Sequence, residues 1–321
     1  MNFSRILIIR SNSSSRAHKF REKYEREIRE FAKQKSLEIR EIFLEQIPFA
    51  ETCDTLSVMI NREDLILAVG GDGTARAAID AAMCVPKNVR ESLALAFLPL
   101  GNGNDFARAI NRRARTFREI ISEEVREFSP LEIEINSGEK RFFTPSYATL
   151  GITTAAVELL NADYIREKRK KFARFSPVAA LSFRDLPELS RKINKIDIQD
   201  FSRNGKFYRD DSIGFFLVGA AHGLLPLRRF SQKDLFANQD FFFHSSDIRG
   251  RFGGKTLFGK GVRAGGWTTF GLPGKISVSE KLTFREPSDL TFNIGGDNVD
   301  FANVREISAR RADAKVKIFA K

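Results

Sequence analysis

An apolar run that breaks off at three glycines set around one aspartate constrains this chain more than any other stretch. Leu65-Ile66-Leu67-Ala68-Val69 runs into Gly70-Gly71-Asp72-Gly73-Thr74, and Ala75 to Met83 follows as a strong helix-forming segment. A short apolar run bounded by glycine suits a strand buried on both faces, as in a parallel sheet. Strand, glycine turn and helix meet here, which aims bare backbone N–H groups and a positive dipole end at one spot, a suitable seat for phosphate. Glycine lets a ligand approach the backbone closely. Asp72 places a carboxylate where phosphates would rest, which makes sense if a metal ion or a donor hydroxyl lies between them.

A second turn of the same kind follows. Ser92 to Leu98 is another apolar run, ending in Pro99-Leu100-Gly101-Asn102-Gly103-Asn104-Asp105-Phe106-Ala107-Arg108. Upstream, Ile6 to Ile9 reads as a first strand and Leu37 to Phe43 as a second. An amphipathic helix from Arg16 to about Lys35 carries Phe20, Tyr24, Ile28 and Phe31 at helical spacing, and a short helix is expected near Thr55 to Ile60. Strands alternating with helices predict a parallel sheet with right-handed crossovers. Ligands of such sheets bind beyond the carboxyl ends of the strands, so both glycine turns should face one cleft. Asn104 or Asp105 is placed to cap the helix that begins near Phe106.

The pattern changes near Phe128-Ser129-Pro130. Clustered strands follow, at Leu131–Ile135, Arg141–Tyr147, Lys192–Ile198, Ser212–Ala220, Phe241–Phe243, Lys275–Val278, Lys281–Phe284, Leu290–Ile294, Val304–Ala309 and Ala314–Phe319. Helical pattern persists mainly over Thr154–Leu160 and from Asp163 to about Leu189, and the glycine-rich Phe252–Gly274 reads as turns. The expected fold class is α/β: an N-terminal parallel-sheet nucleotide-binding domain over 1–128, then a β-rich, mostly antiparallel domain over 129–304. The last strands, about 305–321, are expected to pack back on the first domain.

Composition narrows the partners. A formal net charge of +12 favours an anionic partner, whether nucleic acid, an acidic membrane surface or phosphorylated metabolites. No recognition module for nucleic acid accompanies that charge. No segment reaches the roughly 20 apolar residues of a membrane span, so the expected location is cytoplasmic, with peripheral contact at the inner face of a membrane. Cys53 and Cys84, far apart in sequence, argue for a reducing compartment and against a disulfide scaffold or a thiolate zinc site. His18, His222 and His244 have no metal-ligand spacing, and Trp267 among glycines reads as a packing anchor. Between Ile165 and Lys192, Arg166, Lys168, Arg169, Lys170, Lys171, Arg174 and Arg184 are interleaved with Phe172, Phe175, Leu181 and Phe183. Such a stretch reads either as a solvated basic helix or as one that lies on an anionic bilayer.

The two turns together are specific. Gly70-Gly71-Asp72-Gly73-Thr74, followed about thirty residues later by Leu98-Pro99-Leu100-Gly101-Asn102-Gly103-Asn104-Asp105-Phe106-Ala107-Arg108, resembles the diacylglycerol kinase catalytic domain shared by bacterial lipid kinases and sphingosine kinases. The order of later segments looks similar, from Phe142-Phe143 to Ala148-Thr149-Leu150-Gly151-Ile152 and on to a C-terminal Gly-Gly-Asp before two last strands. The resemblance implies ATP between the domains, Mg²⁺, and transfer of the γ-phosphoryl group to a lipid hydroxyl. Gly70, Gly71, Asp72, Gly73, Thr74, Gly101, Asn102, Gly103, Asn104 and Asp105 would hold the nucleotide. Asp72 and Asp105 would meet the metal through water.

Four places depart from the family. Ile9-Arg10-Ser11-Asn12-Ser13 stands where Asn-Pro and a glycine are usual. Ala77 stands where the helix after the first turn usually carries Glu, and Asn102 replaces a Thr in the second turn. The Asp-Gly-Glu near the C-terminus, whose Glu is a candidate general base, becomes Gly295-Gly296-Asp297. Asp297 then reads either as a shorter base or as a loop residue. For a metal loop in the second domain, Asp234 and Asp240 are the candidates. The alternative functions are a catalytically weakened relative that binds nucleotide or lipid as a regulator, and a kinase of a soluble acceptor such as NAD. A homodimer is compatible with the sequence.

Overall fold

The computed structural model describes residues 2–12, 19–101, 104–110, 116–145, 147–151, 154, 196–203, 206–219, 240–246 and 280–320. For 105, 147, 149–151, 196–203, 206–219, 240–246 and 280–285 the description is of backbone alone.

The first sheet is built on β1 (Arg5–Arg10) and β3 (Asp64–Gly70), every residue of which is buried. Their alternation sorts side chains to two faces. Ile6, Ile8, Leu65, Leu67 and Val69 pack with Phe20, Tyr24, Ile28, Phe117 and Ile120, which come from a π-helical turn (Phe20–Glu25), α1 (Arg26–Lys35) and α6 (Phe117–Ile121). Leu7, Ile9, Ile66 and Ala68 face the other way, onto α2 (Thr52–Ser57), α3 (Asp72–Cys84) and α5 (Asp105–Ile110). A strand covered by helices on both sides needs apolar residues at every position, which is why the Leu65 run has no polar alternation. A short α4 (Lys87–Arg90) leads into β4 (Ala94–Pro99).

Among the described residues the sheet order is β2-β1-β3-β4-β14-β5, with β2 (Glu38–Phe43), β5 (Val125–Phe128) and β14 (Val316–Phe319) completing it. β2, β1, β3, β4 and β14 run parallel, and β5 pairs antiparallel with β14. The chain order reverses between β1 and β3, so the crevice of this sheet lies at the carboxyl ends of its central strands.

The second sheet is antiparallel throughout. It comprises β6 (Leu131–Ile135), β7 (Lys140–Thr144), β8 (Tyr147–Gly151), β9 (Ile196–Arg203), β10 (Lys206–Gly219), β11 (Asp240–Ser246), β12 (Glu280–Ile294) and β13 (Asp297–Arg311). The order is β11-β10-β8-β12-β13-β6-β7, with β9 pairing β10 and β12. Runs expected as separate strands, Lys281–Phe284 and Leu290–Ile294, are one long β12 interrupted by register shifts around Ser288, because paired β13 is equally long. The expected strand Lys275–Val278, the Phe252–Gly274 turns, the Asp163–Leu189 helix and the basic Ile165–Lys192 stretch lie outside the described residues. The resulting arrangement, a mostly parallel α/β sheet followed by an antiparallel one, is the expected fold class.

One expectation about the cysteines fails. Cys53 of α2 and Cys84 at the end of α3 are joined as a disulfide, with Cα atoms 6.3 Å apart. Thirty-one residues separate them in sequence, but α2 packs directly against α3, so a large sequence distance implied nothing about distance in space.

Candidate functional site

The two glycine turns close on each other. Leu100 and Gly101 both donate their N–H to the carbonyl of Gly70, at 2.8 and 3.0 Å. Gly71 and Gly101 meet backbone to backbone: a Cβ on Gly101 would stand 2.2 Å from the Cα of Gly71. Neither turn can therefore carry a side chain at that contact. Asn104 adopts a left-handed φ of 55° and uses its side chain to close its own turn, accepting from the Gly101 N–H at 2.8 Å and donating to the Gly101 carbonyl.

Asp72 does more structural work than its position implied. Its carboxylate is buried, and Oδ1 accepts the backbone N–H of Phe106 at 3.1 Å. The helix after the second turn is thus capped from the first turn rather than by Asn104, and Asp72 ties the two turns together. Gly70, Gly71, Gly73, Thr74, Gly101 and Asn104 are brought to the same end of the sheet. Asn102 and Gly103 lie outside the described residues, as does the side chain of Asp105; Asp234 is also outside, and Asp240 begins β11 with only its backbone described.

The helix dipole is available at this point. α3 is capped by Gly71 in extended conformation, and no N-cap side chain satisfies its first turn. The leading N–H groups of a helix have no intrahelical acceptor, so this end of a thirteen-residue helix is a seat for anionic oxygens.

The second sheet supplies the opposite wall. Ile294 pairs with Asp297 across a two-residue turn in which Gly295 (φ 60°) and Gly296 (φ 104°) are both left-handed, the geometry that tight hairpins require and that glycine allows. The hairpin brings Asp297 over the first turn of α3. An added Cβ on Gly73 would lie 2.7 and 2.8 Å from the two carboxylate oxygens of Asp297. The Asp297 side chain keeps 44% exposure through the mouth of the cleft, yet protein surrounds its carboxylate on the remaining sides. Loss of hydration pushes its pKa up from the ordinary aspartate value, and the neighbouring Arg76 guanidinium holds it partly down.

Arg76 is the residue that sequence reasoning missed. It is almost fully buried and its guanidinium pairs with Asp80 at 3.1 Å and Asp297 at 3.5 Å. It also stacks on the Phe49 ring at 4.0 Å, while its Nε is buried without a partner. Asp80 in turn accepts the Phe143 N–H of β7 at 2.9 Å, and burial raises its pKa to about 6 against the pull of Arg76. A signal was present: Arg76 and Asp80 are the only charges after Asp72 in a helix of alanines, and they stand four residues apart, the spacing of a helical ion pair.

Arg76 also explains the altered hairpin. A Cβ on Gly295 would collide with Arg76 Cβ and Cγ at 2.8 and 2.9 Å and approach Thr144 Oγ1 at 3.0 Å. The volume that an aspartate at 295 would fill holds the Arg76 stem. The departure after β1 is likewise filled by packing: Arg10 pairs with Glu41 at 2.7 Å and lies over the Phe20 and Phe43 rings at 5.0 and 4.7 Å.

A helix start suited to anionic oxygens on one sheet is thus faced by a carboxylate on another. Residues 5–133, from β1 into β6, match the family model of the diacylglycerol kinase catalytic domain. No curated protein matches the chain. A diacylglycerol kinase from Bacillus anthracis str. Sterne has a similar solved structure, 12% identical, with 100% of this chain and 98% of that one covered at a TM-score of 0.57. A candidate diacylglycerol kinase from the same organism is 13% identical over the same shares, at 0.61. At such identities the likeness is one of fold, and it extends through the antiparallel sheet.

Proposed function

We propose that this chain is an ATP-dependent lipid kinase that transfers the γ-phosphoryl group to a lipid hydroxyl, of a diacylglycerol or sphingoid kind. The observation that carries this reading is the position of Asp297, whose carboxylate overhangs Gly73 in the first turn of α3. Phosphates seated on the Gly71–Thr74 amides would place the terminal phosphoryl group beside it. Phosphoryl transfer asks mainly for positioning, charge stabilisation and a group that takes the acceptor's proton.

The nucleotide fits what the chain offers. The turn amides and the α3 dipole bind the phosphates, and the Gly70–Gly101 contacts hold the seat rigid. Asp297 accepts the proton of the lipid hydroxyl as its oxygen attacks, and Arg76 positions the carboxylate and screens the phosphates' charge. The fit to Mg²⁺ is weaker: Asp72 is only 8% exposed and already accepts from Phe106 N–H, so it would meet an ion through water. A metal ion would supply neutralisation of phosphate charge there, in company with Asp105. The basic Ile165–Lys192 stretch is our proposed contact with an anionic membrane surface, where a lipid acceptor resides. No helix among the described residues is long and apolar enough to cross a membrane.

A second reading, a regulatory nucleotide- or lipid-binding protein of weakened activity, draws on the Arg76–Asp297 pair, which engages the carboxylate that overhangs the seat. Incubation with labelled ATP and a panel of lipids in mixed micelles decides between them. Label in lipid that disappears in Asp297→Asn supports the kinase. ATP binding without transfer to any lipid supports the regulator, and transfer undiminished in Asp297→Asn removes Asp297 from the mechanism.

A further inference from the structure

The end of α3 remote from the phosphate seat carries a second cluster of chemistry. Asp80 and Cys84 stand four residues apart on one face of α3, and Cys53 reaches them from α2. One ligand atom from each, the two sulfurs and a carboxylate oxygen, lie within 4.8 Å of one another. Asp80 is fully buried and anchored, with the Phe143 N–H on Oδ1 and Arg76 Nη1 on Oδ2. A carboxylate oxygen has more than one lone pair, so each still has capacity for a further partner. Cys53 is half-buried and Cys84 exposed, so solvent and ions reach the sulfur side.

We propose that, once the disulfide is reduced, Cys53, Cys84 and Asp80 form a binding site for a thiophilic divalent cation of the Zn²⁺ class. Two thiolates and one carboxylate are the donors that a borderline-soft ion takes in preference to Mg²⁺ or Ca²⁺. Around a tetrahedral ion with Zn–S bonds of about 2.3 Å, two sulfurs stand about 3.8 Å apart. The sulfurs, bonded in the oxidised protein, therefore separate on reduction to admit the ion, while Asp80 already lies within 4.8 Å of both. Three protein donors leave a fourth position for water on the exposed Cys84 side. Charge also closes: the ion and the adjacent Arg76 guanidinium together balance three anionic donors, which suits a partly buried site. The hydrogen bonds to Asp80 from Phe143 and Arg76 are the kind of outer contacts that orient a metal-binding carboxylate.

The disulfide and the metal site exclude each other, because they use the same sulfurs. Passing from one to the other needs two electrons and two protons from a dithiol, which becomes a disulfide as the Cys53–Cys84 bond breaks. Metal binding then releases the two thiol protons to solvent.

The test uses the full chain, reduced by a phosphine and freed of excess reductant, with Co²⁺ as the probe. The expected result is a sulfur-to-cobalt charge-transfer band that saturates at one Co²⁺ per chain, is displaced by Zn²⁺, and is absent from the oxidised protein. Cys53→Ser and Cys84→Ser should each abolish the two-thiolate band, and Asp80→Asn should weaken Co²⁺ affinity about tenfold or more. Cys84 is exposed and Cys53 only half-buried, so the two cysteine variants keep the test decisive if Asp80→Asn fails to fold. No band from a protein whose two thiols are shown free by a disulfide dye overturns the proposal, as does a band that survives Cys53→Ser. The readout is metal binding, so it stands or falls separately from the kinase reading.

Discussion

Gly73→Ala distinguishes the phosphate seat from the carboxylate that faces it. Gly73 lies in the first turn of α3, and its φ is not left-handed, so alanine suits the backbone and adds up to about 1 kcal/mol of helix stability. Against that, the new Cβ would stand 2.7, 2.8 and 3.0 Å from Oδ1, Oδ2 and Cγ of Asp297. Ordinary contact requires the carboxylate to retreat by about 0.7 Å. Asp297 has two side-chain torsions and an open side, so it swings away, at about 0.5–1.5 kcal/mol if it leaves its rotamer. These effects nearly cancel, and thermal unfolding should shift little. Phosphorylation should not be spared: a displaced general base loses about 10²–10⁴ in rate.

Loss of activity alone would not prove the route, because a Cβ at 73 could also crowd a phosphate. The double variant separates the two. If Gly73→Ala acts by displacing Asp297, adding it to Asp297→Ala costs almost nothing further, the non-additivity of groups that act as a unit. If it acts on the phosphates, the losses multiply and ATP affinity, read by calorimetry, falls with them. Unchanged turnover of the single variant refutes the placement of Asp297 as the base, and multiplicative losses in the double refute the displacement route.

Other perturbations have equally specific outcomes. Gly101→Ala should lose ATP binding and stability together, since its Cβ would meet Gly71 backbone at 2.2 and 2.7 Å with no side chain free to yield; urea titration checks this. Asp64→Ala should destabilise by about 3–5 kcal/mol with little effect on turnover of the folded fraction. It strands the buried Arg5 guanidinium, held at 2.6 and 2.9 Å, at the end of the sheet remote from the site. The rate of lipid phosphorylation should rise with pH through a midpoint above the ordinary aspartate value. Hydration loss raises the Asp297 pKa, and only the ionised carboxylate takes a proton; a profile flat across the acid range contradicts the assignment.

The sheet that forms the seat was legible because its physics is local. A strand covered on both faces must be apolar at every position, and a helix that starts on glycine must show it, so Leu65 to Thr74 announced strand, turn and helix unaided. Asp297 was legible only as a residue after two glycines, since its meaning comes from a hairpin that folds across more than two hundred residues to reach Gly73. Asp72 looked like a ligand because it stands among phosphate-binding glycines; its capping of Phe106 depends on how two turns dock, which no spacing records. The Cys53–Cys84 contact was hidden for the same reason, being a consequence of α2 packing on α3.

Arg76 joins these long-range effects, and its replacement is the most informative change to the site. It is the counter-ion of buried Asp80, the neighbour of Asp297 and the occupant of the space beside Gly295. Arg76→Ala removes the cation that holds both carboxylate pKa values down, so both move further up. The folded state then favours protonated Asp80 more strongly than the unfolded chain does. That contribution is fully present below the unfolded aspartate pKa and lost as pH rises through the folded one, above about 6 in this variant. Arg76→Ala should therefore be nearly as stable as the parent in acid and several kcal/mol weaker at neutral pH, of the order of a broken buried pair. It also removes Arg76 Cγ, one of the two Arg76 atoms that a Cβ at 295 would meet, so Gly295→Ala should be somewhat less damaging in Arg76→Ala than in the parent. What remains of its effect is the contact with the Cβ at 76, the approach to Thr144 Oγ1 and the strain of a left-handed alanine, the last about 1 kcal/mol. Urea titrations of the four proteins at two pH values measure both couplings. Equal penalties for Gly295→Ala in the two backgrounds would show that the Arg76 side chain beyond Cβ is not what the glycine hairpin makes room for.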